Sequence, residues 1–529
     1  MLTLHRVTYV HPNGDRLFSD LDLTINKNEK VALIGNNGVG KSTLMKIMAC
    51  ELLPTTGTMH AEAPSYYLPQ LSGNEWAGTV AEALRIHGKL NALKQILDGE
   101  VNDTNLNLLA GDWSIEERCA ESFSRWGLAG LEVDMQMKNL SGGEKTKVLL
   151  AGIMIHEPDI VLLDEPSNHL DASGRQILYN FISATTKTVV LISHDRTLLN
   201  LVDVTCMLGR DGITRYGGNY EFYSEQKSIY DSAIVHALKS KEKELRKARE
   251  TERDALERKQ KLDARGKRKQ QNAGLPTIMM NTFRNNAEKS AARLKETHVS
   301  KINDITQQVL DLRSEAPNRE VMKMNFDNSS LQPGKVLISA HEVNVGFGPS
   351  MLWDDPLTFQ ILSGERIAIQ GCNGSGKTTL VNMMLGNVLP SVGTIQLTQR
   401  STVYVDQEYS ILDGSLSVYD QAQAFNANGL REHEIKVRLN RFLFPKDAWN
   451  KNVTHLSGGE KMRLVLCCLS IGTKAPDMII LDEPTNNLDL ESLEVLAGAL
   501  NDYDGTLVVI SHDKTFLTDI LIGRFINLK

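Results

Sequence analysis

Residues Gly35-Asn36-Asn37-Gly38-Val39-Gly40-Lys41-Ser42 read GNNGVGKS, and residues Gly371-Cys372-Asn373-Gly374-Ser375-Gly376-Lys377-Thr378 read GCNGSGKT. Both match G-x-x-x-x-G-K-[ST]. In that pattern the glycines let successive backbone N–H groups turn inward around phosphate oxygens, and the helix that follows adds its positive end. The flanks agree: Glu29 to Ile34 (EKVALI) and Glu365 to Gln370 (ERIAIQ) are short apolar runs feeding the loops. Helices are expected over at least Thr43 to Ala49 and Thr379 to Leu385, so Thr43 and Thr379 belong to the phosphate-binding turn. Lys41 and Lys377 are placed to reach the β and γ phosphates of ATP, and Ser42 and Thr378 to ligate Mg2+.

The rest of the chain repeats in the same order. Gln70, Leu140 to Glu144 (LSGGE), Ile160 to Asp171 (IVLLDEPSNHLD) and His194 follow the first loop. Gln407, Leu456 to Glu460 (LSGGE), Met478 to Asp489 (MIILDEPTNNLD) and His512 follow the second. A repeat of this length is two copies of a whole domain. The runs IVLLD, TVVLIS, MIILD and TLVVIS are nearly continuous and rich in β-branched residues, as in parallel strands covered on both faces. The expected fold is α/β, with two P-loop domains in tandem over residues 1–224 and 331–529.

Within each copy the residue types suit phosphoryl transfer. An apolar strand ending in Asp then Glu puts Asp164 or Asp482 toward Mg2+ and Glu165 or Glu483 toward the attacking water. His194 and His512 close strands where an imidazole can hydrogen-bond the γ phosphate, while Gln70 and Gln407 offer uncharged amides to metal or water. Ser141, Gly142 and Gly143, like Ser457, Gly458 and Gly459, open apparent helices and form an anion site; an ordinary Ser/Gly helix cap has the same sequence.

Composition separates a third region. Of 529 residues, 41% are hydrophobic, and 58 Lys+Arg stand against 65 Asp+Glu for a net charge of -7. Lys239 to Lys301 alone holds 19 Lys+Arg against 9 Asp+Glu, which leaves it at +10 and the remainder at -17. A polyanionic partner explains a basic module between acidic domains. A solvated hairpin without a partner explains the charge equally. Residues from about 227 to 272 are free of proline and favour a long helix; Gly274 and Pro276 break it; a second helix runs to about Arg313. Ile302, Ile305, Val309 and Leu312 follow coiled-coil spacing, and at about 1.5 Å per residue this arm spans roughly 48 Å. Six cysteines show no zinc spacing or CxxC pair, and no apolar run reaches the ~20 residues of a membrane span, so a cytoplasmic chain is expected.

These motifs closely resemble the ATP-binding cassette superfamily over both halves. The resemblance implies two domains packed head to tail, each ATP being held by one phosphate loop and the opposite signature serine. One site would join Gly35 to Ser42, Gln70, Asp164, Glu165 and His194 to Ser457, Gly458 and Gly459. The other would join Gly371 to Thr378, Gln407, Asp482, Glu483 and His512 to Ser141, Gly142 and Gly143. In the family an aromatic near the domain start stacks on adenine, which points to Tyr9 and Phe347.

Two cassettes, no membrane span and a charged linker (225–330) look like the ABC-F group, as does GGNYEFYSEQK (Gly217 to Lys227). That resemblance implies an ATP hydrolase acting as a monomer. Its linker, the P-site tRNA interaction motif, would enter the ribosomal E site and touch rRNA and P-site tRNA. Here Arg265, Lys267, Arg268, Lys269 and Arg284 flank an apolar tip, Leu275 to Met280. Gln70 and Ser141 are 71 positions apart but Gln407 and Ser457 only 50, so the first cassette holds 21 extra residues within about 75–135. Some relatives carry an arm there that touches the L1 stalk. Service in ordinary translation and protection of ribosomes from an antibiotic share this architecture. A DNA-associated ATPase or the energising subunit of a transporter are the readings from other classes; the second needs membrane partners.

Overall fold

The computed structural model describes residues 1–70, 78–209, 212–270, 296–297, 299–313, 334–347, 350–398, 401–427, 429–472, 475–486 and 488–528. It divides into two compact units. Met1–Phe222 together with Val321–Lys529 form one, and Tyr223–Glu320 form the other. Both cassettes therefore lie in a single unit.

Each cassette combines a three-stranded antiparallel sheet with a larger, mainly parallel one, of six described strands in the first cassette and five in the second. In the first, Leu2–Val10 lies between Arg16–Ile25 and Thr56–Ala61 in an antiparallel sheet. Behind it runs a six-stranded sheet in the order Ser65–Leu68, Ile160–Asp164, Thr188–Ile192, Lys30–Ile34, Val204–Gly209, Gly212–Tyr216. All its neighbours are parallel except the last pair. The second cassette repeats this with Thr402–Val405, Met478–Asp482, Thr506–Ile510, Arg366–Gly371 and Arg524–Leu528, all parallel. Every residue of Ile160–Asp164, Thr188–Ile192, Met478–Asp482 and Thr506–Ile510 is buried, as expected for strands covered on both faces.

This strand order positions the chemistry. In a parallel sheet all the carboxyl ends share one edge, where ligands bind at the point of crossover reversal. Strands ending at Leu68, Asp164, Ile192 and Ile34 thus deliver Gln70, Glu165, His194 and the first phosphate loop to one edge.

The extra length of the first cassette is helical. His87–Leu97 and Asp103–Leu109 pack on each other and precede Ile115–Arg125, whereas Val418–Ala424 and Glu432–Arg441 occupy the shorter stretch in the second cassette. In the other unit, the helix Tyr220–Gln270 runs through 51 residues, starting before the expected position and ending near it. Residues 299–313 are helical, with Ile305 and Val309 buried and Ile302 and Leu312 half-buried, so the expected seam is turned inward. Arg313 Nη2 donates to Glu242 Oε1 at 2.6 Å and ties the two arms together. Arg265 is exposed. The expected break at Gly274 and Pro276, the tip Leu275 to Met280, Arg284 and the side chains of Lys267, Arg268 and Lys269 lie outside the described residues.

Candidate functional site

The two phosphate loops are built alike. Gly40 (φ 104°) and Gly376 (φ 86°) cap the helices Lys41–Met48 and Lys377–Leu385 in left-handed backbone, which a side chain at either position would strain. Lys41 Nζ donates to the Gly35 and Asn36 carbonyls at 2.6 and 3.2 Å. Lys377 Nζ donates to those of Gly371 and Cys372 at 2.7 and 3.0 Å. Burial lowers the pKa of both lysines, opposed chiefly by Glu165 for Lys41 and by Glu483 for Lys377.

Around the first loop lies a cavity of about 380 Å³. Asn37, Gly38, Gly40, Lys41, Ser42, Thr43, Gln70, Asp164, Glu165 and His194 line it, and so does Ser457 from the other cassette. A second cavity, about 450 Å³, is lined by Asn373, Gly374, Gly376, Lys377, Thr378, Thr379, Gln407, Asp482, Glu483 and His512, and by Ser141, Gly142 and Gly143 of the first cassette. The structure thus brings each loop together with the opposite signature serine. Asn36 faces an adjoining cavity with Ser457 and Asp489. Gly35, Val39, Gly371, Cys372 and Ser375 are not among the residues that line these walls, and Gly458 and Gly459 likewise do not line the first cavity.

Local chemistry explains the signature segments. Ser141 and Ser457 are N-caps of the helices Gly142–His156 and Gly458–Ile471, each in a capping box with the glutamate three residues on. Glu144 N–H donates to Ser141 Oγ at 3.3 Å, and Ser141 N–H donates to Glu144 Oε2 at 2.8 Å. The remaining N–H groups of each first turn are left for an anion. A Cβ on Gly143 would stand 2.8 Å from the His169 carbonyl of its own cassette and 2.8 Å from Asn373 Nδ2 of the opposite loop, and the fixed carbonyl is what requires glycine there.

The acidic pairs occupy strained and nearly dry positions. Glu165 and Glu483, with φ of 51° and 47°, are held by N–H bonds to the Ile192 and Ile510 carbonyls at 2.8 and 2.9 Å. Non-glycine residues adopt this backbone at a cost of about 1–3 kcal/mol, which recurs at functional sites. Burial, aided by Asp164, raises the pKa of Glu165. Burial pushes Glu483 up to about 7, with Arg175 opposing it. His194 Nε2 is 3.1 Å from Glu165 Oε1 and His512 Nε2 is 3.5 Å from Glu483 Oε1, contacts that lack hydrogen-bond alignment. Burial first, then the nearby lysine, lowers His194 to about 3 and His512 to about 4. Both rings are therefore neutral near pH 7, each with one N–H to donate and one nitrogen to accept.

Neither carboxylate oxygen of buried Asp164 makes a well-formed hydrogen bond to the protein, although the Ser42 and Tyr67 hydroxyls stabilise its charge. Asp482 accepts from the Tyr404 hydroxyl at 3.1 Å. An under-satisfied buried carboxylate beside a loop hydroxyl fits Mg2+, which is held by one or two carboxylates together with substrate phosphates. Among the described residues no cluster of three His, Cys, Asp or Glu side chains is placed to hold a metal ion.

Tyr9 is half-buried and packs on Phe18 and His11, with ring centroids 6.3 and 5.4 Å apart. His11 and Leu17, rather than Tyr9, line the first cavity, and Leu352 lines the second. Phe347 pairs with Ser350 in a short strand, and its side chain lies outside the described part of the chain.

The sequence profile of the family described as ABC transporter matches residues 18–168 and 355–486. ATP-binding protein Uup of Haemophilus influenzae is 32% identical over 96% of this chain and 76% of its own length. ABC transporter F family member 5 of Arabidopsis thaliana is 28% identical over 98% of this chain and 73% of its own. The chain belongs to the ABC-F family. It is a tandem ATP-binding cassette protein and an ATP hydrolase. The solved RNase-L Inhibitor has the same fold, with a TM-score of 0.60 at 20% identity over 99% of this chain and 87% of that one. A complex of archaeal ribosomal stalk protein aP1 with archaeal ribosome recycling factor aABCE1 gives 0.59 at 19% identity, covering 99% and 87%. No described helix of this ABC-F protein is long and apolar enough to cross a membrane.

Proposed function

We propose that this ABC-F protein is a cytoplasmic ATPase that binds the ribosome at the E site through its basic hairpin and modulates translation. In this reading ATP, with Mg2+ held by Asp164 and Ser42 or by Asp482 and Thr378, closes the cassettes and fixes the hairpin against rRNA and P-site tRNA. Hydrolysis at Glu165 and Glu483 reopens them. Mg2+ supplies charge neutralisation on the phosphates; Lys41 and Lys377 hold those phosphates, and His194 and His512 orient groups beside them.

The observation that carries this reading is the helix Tyr220–Gln270, which begins on the first cassette and continues unbroken for 51 residues, about 75 Å at 1.5 Å per residue. Its basic side chains suit phosphate contacts, and no residue of either cavity lies in it. Family membership supports the partner. The test is co-sedimentation of the Glu165→Gln, Glu483→Gln double variant with ribosomes in ATP. Retention that weakens as salt rises, and is lost when Leu275 to Met280 is removed and both arms are shortened, is expected. Sedimentation with DNA, or ribosome retention indifferent to the shortening, overturns the reading.

A further inference from the structure

The two cassettes are not equal where they meet. Matching the repeats at Asp164 with Asp482 and at Asp171 with Asp489 places Arg175 opposite Leu493. Leu493 is buried in the core of its own cassette. Arg175 is also buried, yet it lines the cavity of the second phosphate loop alongside Lys377, Glu483 and His512. The wall of the first cavity contains no arginine among the described residues; Arg463 of the second cassette lines the adjoining cavity at Asn36 to Gly38, whose wall includes neither Glu165 nor His194.

We propose that Arg175, supplied by the first cassette, is a positioning residue for ATP hydrolysis at the second phosphate loop, and that the first loop has no counterpart. The two sites are then chemically unequal.

The surroundings of Arg175 argue against a purely internal role. Its Nε donates to the Leu170 carbonyl at 3.2 Å, which fixes the plane of the guanidinium. Its Nη1 is 3.8 Å from Asp195 Oδ2, too far for a direct hydrogen bond. Asp195 is satisfied without it, by the Tyr179 hydroxyl and by the Thr197 and Leu198 N–H groups at 3.0 and 3.2 Å. A permanently charged group buried in this way is costly unless it meets opposite charge. Asp195 of its own cassette supplies part of that charge at 3.8 Å, and Asp482 and Glu483 of the second cassette line the same cavity as Arg175. Glu165 shares its cavity with Lys41 of its own loop, and no described arginine stands in that wall.

A guanidinium delivered in trans is in place only when the cassettes are together. It would therefore hold the Glu483 carboxylate in its working orientation in the paired state and relax on separation, linking turnover at the second site to closure. Because Arg175 acts through Glu483, its loss should spare ATP binding more than turnover.

The test reads each loop separately in the full-length protein. Vanadate trapping of photoreactive 8-azido-ATP, followed by peptide mapping, reports turnover at Gly35 to Ser42 and at Gly371 to Thr378; labelling on ice without vanadate reports binding. In Arg175→Met, trapping at the second loop is expected to fall about tenfold or more while changing less than about twofold at the first, with binding kept at both. Arg175→Lys, which keeps the charge, is expected to retain more trapping at the second loop than Arg175→Met. Equal losses at both loops, as a general structural role would give, overturn the proposal. So does undiminished trapping at the second loop, or equal impairment of the Lys and Met variants.

Discussion

The backbone N–H of Asn37, inside the first phosphate loop, donates to Asp489 Oδ2 of the second cassette at 3.2 Å. Asp489 also caps the helix Leu490–Asn501 by accepting from Ser492 N–H at 2.8 Å, and these contacts hold its pKa down against burial. One carboxylate thus fixes a helix of one domain and the nucleotide loop of the other. Asp489→Ala should cost about 1 kcal/mol of stability through the lost cap and weaken nucleotide binding at the first loop more than at the second. Asp489→Asn keeps a capping acceptor and should recover the stability. Denaturation midpoints and loop-resolved labelling check both; equal weakening at the two loops would dissociate Asp489 from the first site.

Replacing both Glu165 and Glu483 by Gln should preserve ATP binding while slowing turnover by about two orders of magnitude or more, because a buried base is lost while both loops stay intact. Steady-state phosphate release and equilibrium binding of a fluorescent ATP analogue separate the effects. Undiminished hydrolysis would remove the catalytic role from these glutamates.

Much of this architecture was legible in the sequence because the same physics writes it twice. The loops, the buried strands and the Asp-Glu pairs occur in matched order, and the elements around the phosphate loops end within about two residues of expectation: Lys30–Ile34 for Glu29 to Ile34, Lys377–Leu385 for Thr379 onward; the linker helix, with no motif to mark its start, begins at Tyr220 rather than near 227. Ser141 and Ser457 carried a further readable signal, since S-x-x-E is a capping box. What was not legible depends on tertiary contact. Arg175 is one charged residue in a helix, and only the packing of the second cassette shows what it faces. The left-handed backbone at Glu165 and Glu483 has no glycine or asparagine to announce it; the neighbouring strand imposes it. His11 and Leu17 reach the cavity because the antiparallel sheet folds over the loop, a long-range arrangement without a local motif.

Within the first cassette's extra helices, Asp112 should make stability depend on pH. Arg118 Nη1 is 2.7 Å from Asp112 Oδ1, while Arg118 Nη2 and Lys89 Nζ donate to Oδ2 at 2.8 Å each. The Arg118 hydrogen bonds, assisted by Lys89 and opposed by burial, hold Asp112 down to about 2 from 3.8. A folded-state pKa below the unfolded value gives stability that is present above about pH 4 and lost as pH falls toward 2. Asp112→Asn should flatten this segment of the stability profile while lowering stability at neutral pH. Urea midpoints between pH 2.5 and 6 measure it; parallel profiles for parent and variant would contradict the assignment.

The contact at Gly143 gives the sharpest test of the shared sites. A Cβ there would meet both Asn373 Nδ2 and the His169 carbonyl at 2.8 Å, while Asn373 Nδ2 donates to that same carbonyl at 3.1 Å. Gly143→Ala should therefore strain the signature turn against the His169 carbonyl and displace Asn373 from that carbonyl, loosening the second phosphate loop's hold on the first cassette. Gly142→Ala, whose nearest neighbour would be the His169 ring at 3.3 Å, should be milder because a side chain can turn aside. Ser141→Arg adds a bulky cation at the same cavity and loses the cap as well. In all three, photo-crosslinking of an ATP analogue should fall first at Gly371 to Thr378, the loop of the other domain, in the order Ser141→Arg, Gly143→Ala, Gly142→Ala. A loss confined to Gly35 to Ser42 would mean that each signature segment serves its own cassette, against the geometry of both cavities.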